Sequence, residues 1–264
     1  MTEDKGKFFK SKWVKLFSLV SVVLTWELVA DFLVKNSFFL PSFSAVVLAF
    51  LKLWKIIPLD ILVSFLHFGI GLLVAIIVGV VFGVLMGWFK AADKIFGPLV
   101  EIIRPIPPIA WVVFAVIWFG LSHFAASFVV FIGAVFPILI NTYAGLKSVP
   151  KTLVQAAQVL GCKDDSRLIK YIAFPSALPL ILTGIRIGMG VGWMCVVAAE
   201  MFGVSRNGLG FRLYQRFYSL HQIDNLVLYM IILGLMALLF DRAFRYFVEG
   251  KLLKWQKGLV VLEK

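Results

Sequence analysis

QAAQVLGCKDDSRLIKYIAFP, residues 155–175, places five charged side chains between two long apolar tracts. Apolar positions recur at helical spacing before and after Gly161, which predicts two short helices joined at that glycine. Pro175 and Pro179 are expected to end the second helix and to restart the chain as a buried one. The stretch is therefore predicted to be a helical loop in water, on one side of a membrane.

The composition of the whole chain predicts an integral membrane protein. Of its 264 residues, 61% are hydrophobic and 15% charged, with 26 Phe and 8 Trp. A soluble domain is near half apolar, so the excess must face lipid or a partner. The net charge of +12 would suggest a nucleic-acid partner in a soluble protein. Here the basic residues cluster beside apolar tracts, as in membrane proteins, and no nucleic-acid partner is expected.

Six membrane-spanning helices are predicted, at about 16–34, 62–88, 106–120, 124–146, 178–199 and 226–247. The third is short and follows a proline-rich run, so it either begins inside the membrane or takes length from residues 95–103. Alternate loops carry nineteen basic residues on one side and six on the other. This bias places both termini and the loop at 147–176 in the cytoplasm. The fold is thus expected to be all-α, a single transmembrane domain over 1–264 with short basic tails at 1–15 and 248–264.

Small residues recur at every fourth position of two predicted spans. They are Gly79, Gly83 and Gly87, preceded by Gly71 and Ala75, and then Gly184, Gly188 and Gly192. Small residues on one face let another helix backbone approach closely. These faces are predicted to pack helices together, within the subunit or across a dimer. Cys162 and Cys195 lie at different predicted depths, so no disulfide is expected.

Ionisable residues in membrane spans are functional candidates by default. Arg186 lies well inside the fifth span, Glu200 at the outer end of the same helix and Glu101 just before the third span. Each is predicted either to pair with a neighbouring helix or to line a pathway. Glu27 in the first span raises the same question.

No catalytic constellation emerges from the sequence. It contains no HExxH, CxxC or GxSxG motif and no phosphate-binding glycine-rich loop. Ser64 and His67 form the one close nucleophile–base pair, a spacing that arises easily by chance. His67 is expected to be a satisfied core histidine without a ligand role. The histidines at 67, 123 and 221 are too scattered to suggest a metal, so neither an enzyme nor a metal site is predicted.

Residues 155–175 resemble the cytoplasmic EAA loop of ABC importer permeases. The matching positions are Gln155, Ala156, Ala157, Gly161 and Pro175. Gln155 replaces the leading glutamate of that motif, and Cys162 and Lys163 follow the glycine where small residues are usual. Segments 40–47, 98–120, 174–193 and 198–210 are similar to the nitrate, sulfonate, taurine and bicarbonate permease subfamily. His67 stands where that subfamily often has arginine.

The resemblance implies a type I ABC importer permease in the cell (inner) membrane. Such a subunit would form a homodimer with one pathway, bind two cytoplasmic ATPase subunits and accept substrate from an extracytoplasmic binding protein. The loop residues expected to couple the ATPase are Gln155, Ala156, Ala157, Gly161, Cys162 and Pro175. The chain itself would bind no cofactor, since ATP belongs to the partner subunits.

The cargo implied by the resemblance is a small anion or small organic solute of the sulfonate, taurine, nitrate or bicarbonate type. Permeases for thiamine and riboflavin precursors look similar, so a vitamin precursor stays open as the cargo. A stand-alone channel or secondary carrier is the alternative of another class. Carriers of that kind commonly show paired repeats, and no convincing repeat relates residues 1–130 to 131–264.

Overall fold

The computed structural model describes residues 20–248 together with Val14, Phe17 and Ser18. The basic tails predicted at 1–15 and 248–264 lie outside the described residues, apart from Val14 and Val248. The described part is helical, without a strand. Its helices are α1 (20–34, with a π-helical end at Val29–Val34), α2 (Phe43–Leu53), α3 (Ile57–Trp88), α4 (Lys90–Ile103), α5 (Trp111–Phe119), α6 (His123–Lys147), α7 (Lys151–Val159), α8 (Asp165–Met201), α9 (209–218) and α10 (Ile223–Phe247).

Among the described residues, four helices are long and apolar enough to cross a membrane: α3, α6, α8 and α10. Helix α4 and the segment Pro108–Phe119 count as a fifth crossing if their 83° bend lies within one span. In that case the predicted third span takes its length from the residues before it. The bend follows from prolines 105, 107 and 108, which cannot donate backbone hydrogen bonds. The first predicted span, 16–34, is described mainly from residue 20 onward.

Helix α6 is the centre of the packing, because both glycine ladders lie against it. A Cβ on Gly83 or Gly87 of α3 would lie 2.5 Å from the Cβ of Thr142 or Leu146, respectively. On the other side, a Cβ on Gly184 of α8 would lie 2.7 Å from Asn141 Cβ. Larger side chains at these positions would push the helices apart. Gly79, Gly188 and Gly192 also face α6, so both ladders pack within the subunit.

Helix α8 is continuous from Asp165 to Met201, and the predicted break at Pro175 and Pro179 is wrong. A π-helical turn over Ile169–Ala173 comes directly before Pro175. This widened turn makes room for the proline ring, so the helix continues where a regular helix would end. The helix is about 55 Å long at 1.5 Å per residue, which exceeds the hydrocarbon thickness of a bilayer. Its first turns therefore project beyond the span.

The two ends of the helical bundle carry different chemistry. Asp60 and Trp88 lie near opposite ends of α3, about 42 Å apart along the helix axis. Trp88 Nε1 donates a hydrogen bond to Asp165 Oδ1 at 3.1 Å, which places the start of α8 at the end where α7 also lies. This end is called the α7 end below. The other is called the network end, because it holds a buried polar network described in the next section.

Candidate functional site

At the α7 end, helix α7 projects from the bundle without a buried residue. Its last turn exposes two apolar side chains, Val159 and Leu160, each 88% accessible. Gly161 follows with a φ of +91°, and an added Cβ there would meet no atom within 4 Å. The spacing around Gly161 thus correctly predicts the helix–glycine–helix shape. An apolar tip held out in water is the form that a docking surface takes.

The other residues expected to act in coupling lie around this tip. Gln155 and Ala156 are exposed on α7, and Ala157 is half-buried. Cys162 is half-buried just after the glycine, and its amide donates to the Ala157 carbonyl at 2.9 Å. Pro175 lies farther along, exposed on α8. Five of the six expected coupling residues thus lie on α7 or in the glycine turn that follows it, whereas Pro175 lies on α8.

At the network end, Glu200 is fully buried and is the centre of a hydrogen-bond network. The members of this polar network are Asp60, Ser64, His67, His123, Glu200, Arg212 and Tyr229. Glu200 Oε1 lies 2.8 Å from His67 Nδ1, and Oε2 accepts from Ser64 Oγ at 2.8 Å. Oε2 also accepts from the Gly210 amide at 2.9 Å. Glu200 was predicted either to pair with a neighbouring helix or to line a pathway. Its hydrogen bonds connect α8 to α3 and α9, and this geometry favours helix pairing.

Glycine at 208 and 210 permits that arrangement. Gly208 has a φ of +132°, and an added Cβ would lie 2.6 Å from the Glu200 carboxyl carbon. A Cβ on Gly210 would lie 2.9 Å from Glu200 Cβ. The backbone can therefore approach the carboxylate closely enough for the Gly210 amide to reach it.

Asp60 is the second fully buried carboxylate of the network. It lies 3.1 Å from Arg212 Nε and accepts from the Tyr229 hydroxyl at 2.7 Å and from the Gly208 amide at 3.2 Å. A buried charge is tolerated when it is paired and its acceptor positions are filled, as here. These contacts connect α3 to α9 and α10. Asp60 was not among the predicted site residues, although its place one turn before Ser64, on a polar face of α3, is a signal in the sequence.

The histidine prediction was wrong in one respect. His67 and His123 are not scattered, because His67 Nε2 lies 2.7 Å from His123 Nδ1. His67 is fully buried, whereas His123, the first residue of α6, is exposed. Among the described residues no hydrogen bond joins Ser64 to His67, and the Ser64 hydroxyl donates to Glu200 instead. The described geometry therefore holds no serine–histidine pair of the kind that a hydrolase uses.

The remaining charged candidates are paired or exposed. Arg186 Nε lies 2.8 Å from Asp241 Oδ1 on α10, and Asp241 also contacts Arg245. This geometry again favours helix pairing over a pathway. Glu101 is exposed on α4. Glu27 accepts from the Ser44 amide at 3.1 Å and so connects α1 to the start of α2.

A cleft of about 400 Å³ lies midway along the bundle, between the α4–α5 bend, α6 and α8. Its walls are mostly apolar, with Ile132, Phe136 and Ile187 among them. Arg104 is the cationic residue at the bend, and it has no acidic partner among the described residues. Asn141 adds an amide whose Nδ2 donates to the Pro137 carbonyl at 2.8 Å. Arg104 is one of the nineteen basic residues assigned to loops from the sequence, and its place in this cleft was not predicted.

Comparison with protein families finds a match over most of the chain. Residues 75–251 match the family described as "Binding-protein-dependent transport system inner membrane component". A putative ABC transporter permease of Methanocaldococcus jannaschii is 40% identical across 97% of this chain and 98% of its own length. The nitrate import permease protein of a Synechocystis strain is 35% identical over 74% of this chain and 70% of its own. The bicarbonate transport system permease protein of Synechococcus elongatus is 37% identical over 65% of this chain and 61% of its own.

Among solved structures, the fold is similar to that of a chain in the inward-facing MetNI methionine ABC transporter. The TM-score is 0.65 at 20% sequence identity, and the match covers 75% of this chain and 97% of that chain. At this identity the likeness supports the fold alone. Together with the four apolar helices, it identifies a multi-pass membrane protein with the fold expected from the EAA-loop resemblance.

Proposed function

Since this chain belongs to the family of inner membrane components of binding-protein-dependent transport systems, we propose that it forms the membrane pathway of an ABC importer for a small anion. Two cytoplasmic ATPases would drive the importer through α7, and an extracytoplasmic binding protein would deliver substrate at the network end. Two copies of the chain would form one pathway in the cell membrane. The observation that carries the proposal is that α7 ends in exposed apolar side chains, on a chain that belongs to this family.

The chemistry of α7 suits a docking element. Val159 and Leu160 extend into water on a helix that touches the rest of the chain mainly at Ile169–Ala173. A groove on an ATPase subunit would bury this tip, and Gly161 would let the two backbones approach closely. Because α8 is one continuous helix, a force applied at its start is carried along its whole length to Glu200. Movement of the ATPases would thus shift α8 as a rigid body.

The anionic cargo is supported by the cleft at the α4–α5 bend. Arg104 supplies a fixed positive charge beside apolar walls, and a planar guanidinium suits carboxylate, nitrate or sulfonate oxygens. Relatives named as nitrate and bicarbonate permeases carry small anions, which agrees with this charge. A vitamin precursor remains the second candidate cargo.

Reconstitution tests the proposal. The chain would be co-purified with its ATPase and binding protein, placed in vesicles and supplied with nitrate, bicarbonate, taurine or a thiamine precursor. We expect one anion to stimulate ATP hydrolysis and to accumulate only with ATP. Arg104→Gln should lower transport while leaving basal hydrolysis intact, with the exposed Lys94→Gln on α4 as the control. ATP-independent transport by this chain alone would identify a channel or carrier and overturn the importer.

A further inference from the structure

A second cavity of about 400 Å³ lies at the network end and has more polar walls than the cleft near Arg104. It is bounded by the first turn of α6, by α3 and by the loop after α8. Its polar lining comes from Ser122, His123, Ser205, Arg206 and Asn207. Because a water molecule occupies about 30 Å³ in the liquid, the cavity has room for an ion of a few heavy atoms together with its nearest waters.

The polar network behind the cavity has defined hydrogen-bond directions. The Leu209 amide donates to Ser64 Oγ at 2.8 Å, so the Ser64 hydroxyl proton points to Glu200 Oε2. That oxygen also accepts from the Gly210 amide. When Glu200 is ionised, the proton that lies between its other oxygen and His67 sits on His67 Nδ1.

These directions determine which nitrogen of His123 is free. With its proton on Nδ1, a neutral His67 presents a lone pair at Nε2, and that lone pair accepts from His123 Nδ1 at 2.7 Å. His123 then keeps Nε2 as the nitrogen that can take up a further proton, on a ring that is exposed and lines the cavity. Uptake of that proton makes His123 a cation with an N–H donor. The buried Glu200 carboxylate balances its charge through His67.

The hydrogen-bonded series from Glu200 through His67 to His123 is called the relay below. The other charged groups around the relay leave the cavity positive. Arg206 lies exposed on the cavity wall. The charge of Asp60, on α3, is balanced by Arg212 of α9 at 3.1 Å, and Tyr229 of α10 donates to the same carboxylate. The first turn of α6 also presents the positive end of its helix dipole. Arg206 and the first turn of α6 thus face the cavity, whereas the paired Asp60 and Arg212 lie outside its lining.

We propose that this cavity binds a small monovalent oxyanion. Arg206 and His123 Nε2–H would contact the anion, whereas His67 and Glu200 are positioning residues that hold His123 as a donor. The site lies in the permease chain itself and would receive the anion before it reaches the cleft near Arg104. The choice of an oxyanion rests on the proposed function, but the cavity and the relay do not.

Anion binding to the purified full-length chain in uncharged lipid nanodiscs tests the site. Nitrate and methanesulfonate are suitable probes, because neither takes up a proton near neutral pH. Calorimetry at about pH 6 and about pH 8 should show tighter binding at the lower pH, because histidine side chains take up protons as the pH falls. His123→Gln should weaken binding about tenfold at the lower pH and remove the pH dependence. Arg206→Gln should weaken binding at both pH values, whereas Arg216→Gln on α9, outside the cavity, should leave it unchanged.

The positioning role of Glu200 and His67 is tested by the pH dependence of nitrate binding in variants of these two residues. Glu200→Gln keeps the shape of the side chain but removes the buried charge. Its amide oxygen would accept from Ser64 and from the Gly210 amide, so its amino group would face His67 Nδ1. We expect this variant to lose most of the difference in nitrate binding between about pH 6 and about pH 8. His67→Asn, which interrupts the relay, should give the same profile. Thermal unfolding of each variant separates these effects from loss of folding.

The outcomes distinguish this site from the importer proposal. Absence of nitrate and methanesulfonate binding by the folded wild-type chain, or wild-type binding by His123→Gln, overturns the site. The importer proposal would survive either result if the assembled complex still hydrolyses ATP in response to an anion. Conversely, anion binding with the predicted pH profile by a chain that recruits no ATPase would uphold the site and overturn the proposed coupling.

Discussion

Replacing Val159 and Leu160 together by serine should detach the ATPase without unfolding the chain. Both side chains are 88% accessible at the tip of α7, so the isolated chain loses no packing when they are removed. In an assembled importer they would be buried against a partner. Burial of one such side chain is worth about 1.5–3 kcal/mol, so the lower bound for the pair is about 3 kcal/mol. At about 1.4 kcal/mol for each factor of ten, the dissociation constant should rise about 100-fold.

The measurement is a titration of the solubilised chain with the ABC ATPase that co-purifies with the wild-type chain from its native cells. Anion-stimulated hydrolysis by the same mixture reports coupling. Gln158→Ser is the matched control, because Gln158 is exposed on the same helix and its replacement removes little apolar surface. The melting temperature of the isolated double variant should equal that of the wild-type chain. Unchanged ATPase affinity in the folded double variant would refute the docking role of the α7 tip.

Three further substitutions test the packing and the buried charges. Gly83→Leu should lower the melting temperature of the solubilised chain, because overpacking at the α3–α6 contact costs about 1–3 kcal/mol. Gly69→Ala is the control and should leave the melting temperature unchanged, because a Cβ there meets no atom within 4 Å. Asp60→Asn should lower the stability of the chain by about 3–5 kcal/mol, because it leaves the buried arginine partner poorly paired. Asp93→Asn, which breaks a half-exposed ion pair, should lower it by at most about 1 kcal/mol. Arg186→Leu should remove the ion pair between α8 and α10, lower stability only slightly because the pair is partly exposed, and leave anion transport intact. Lost transport by a folded variant would instead place Arg186 in the pathway.

The features that were predictable from the sequence are those with a local signal. Four-residue spacing of glycine predicted the packing faces on α3 and α8, and a lone glycine in a polar stretch predicted the end of α7. The helix ends at prolines were less predictable, because the effect of Pro175 depends on whether the turn before it can widen. Spacing alone also could not say whether the glycine faces meet within a subunit or across a dimer. Both ladders pack on α6, and only the three-dimensional arrangement of the helices shows this.

The polar network was not predictable from local patterns, because its members come from distant parts of the chain. His67 and His123 belong to different predicted spans, and each alone resembles an ordinary interfacial histidine. Their contact depends on α3 and α6 running side by side from the network end, which the glycine ladder on α3 brings about. In the resembling subfamily an arginine often stands at the position of His67. His67 instead connects Glu200 to His123, because its two ring nitrogens face one partner each. An arginine has no acceptor atom and could not accept a hydrogen bond from His123, so the histidine permits a contact between α3 and α6 that an arginine at this position could not make in the same way.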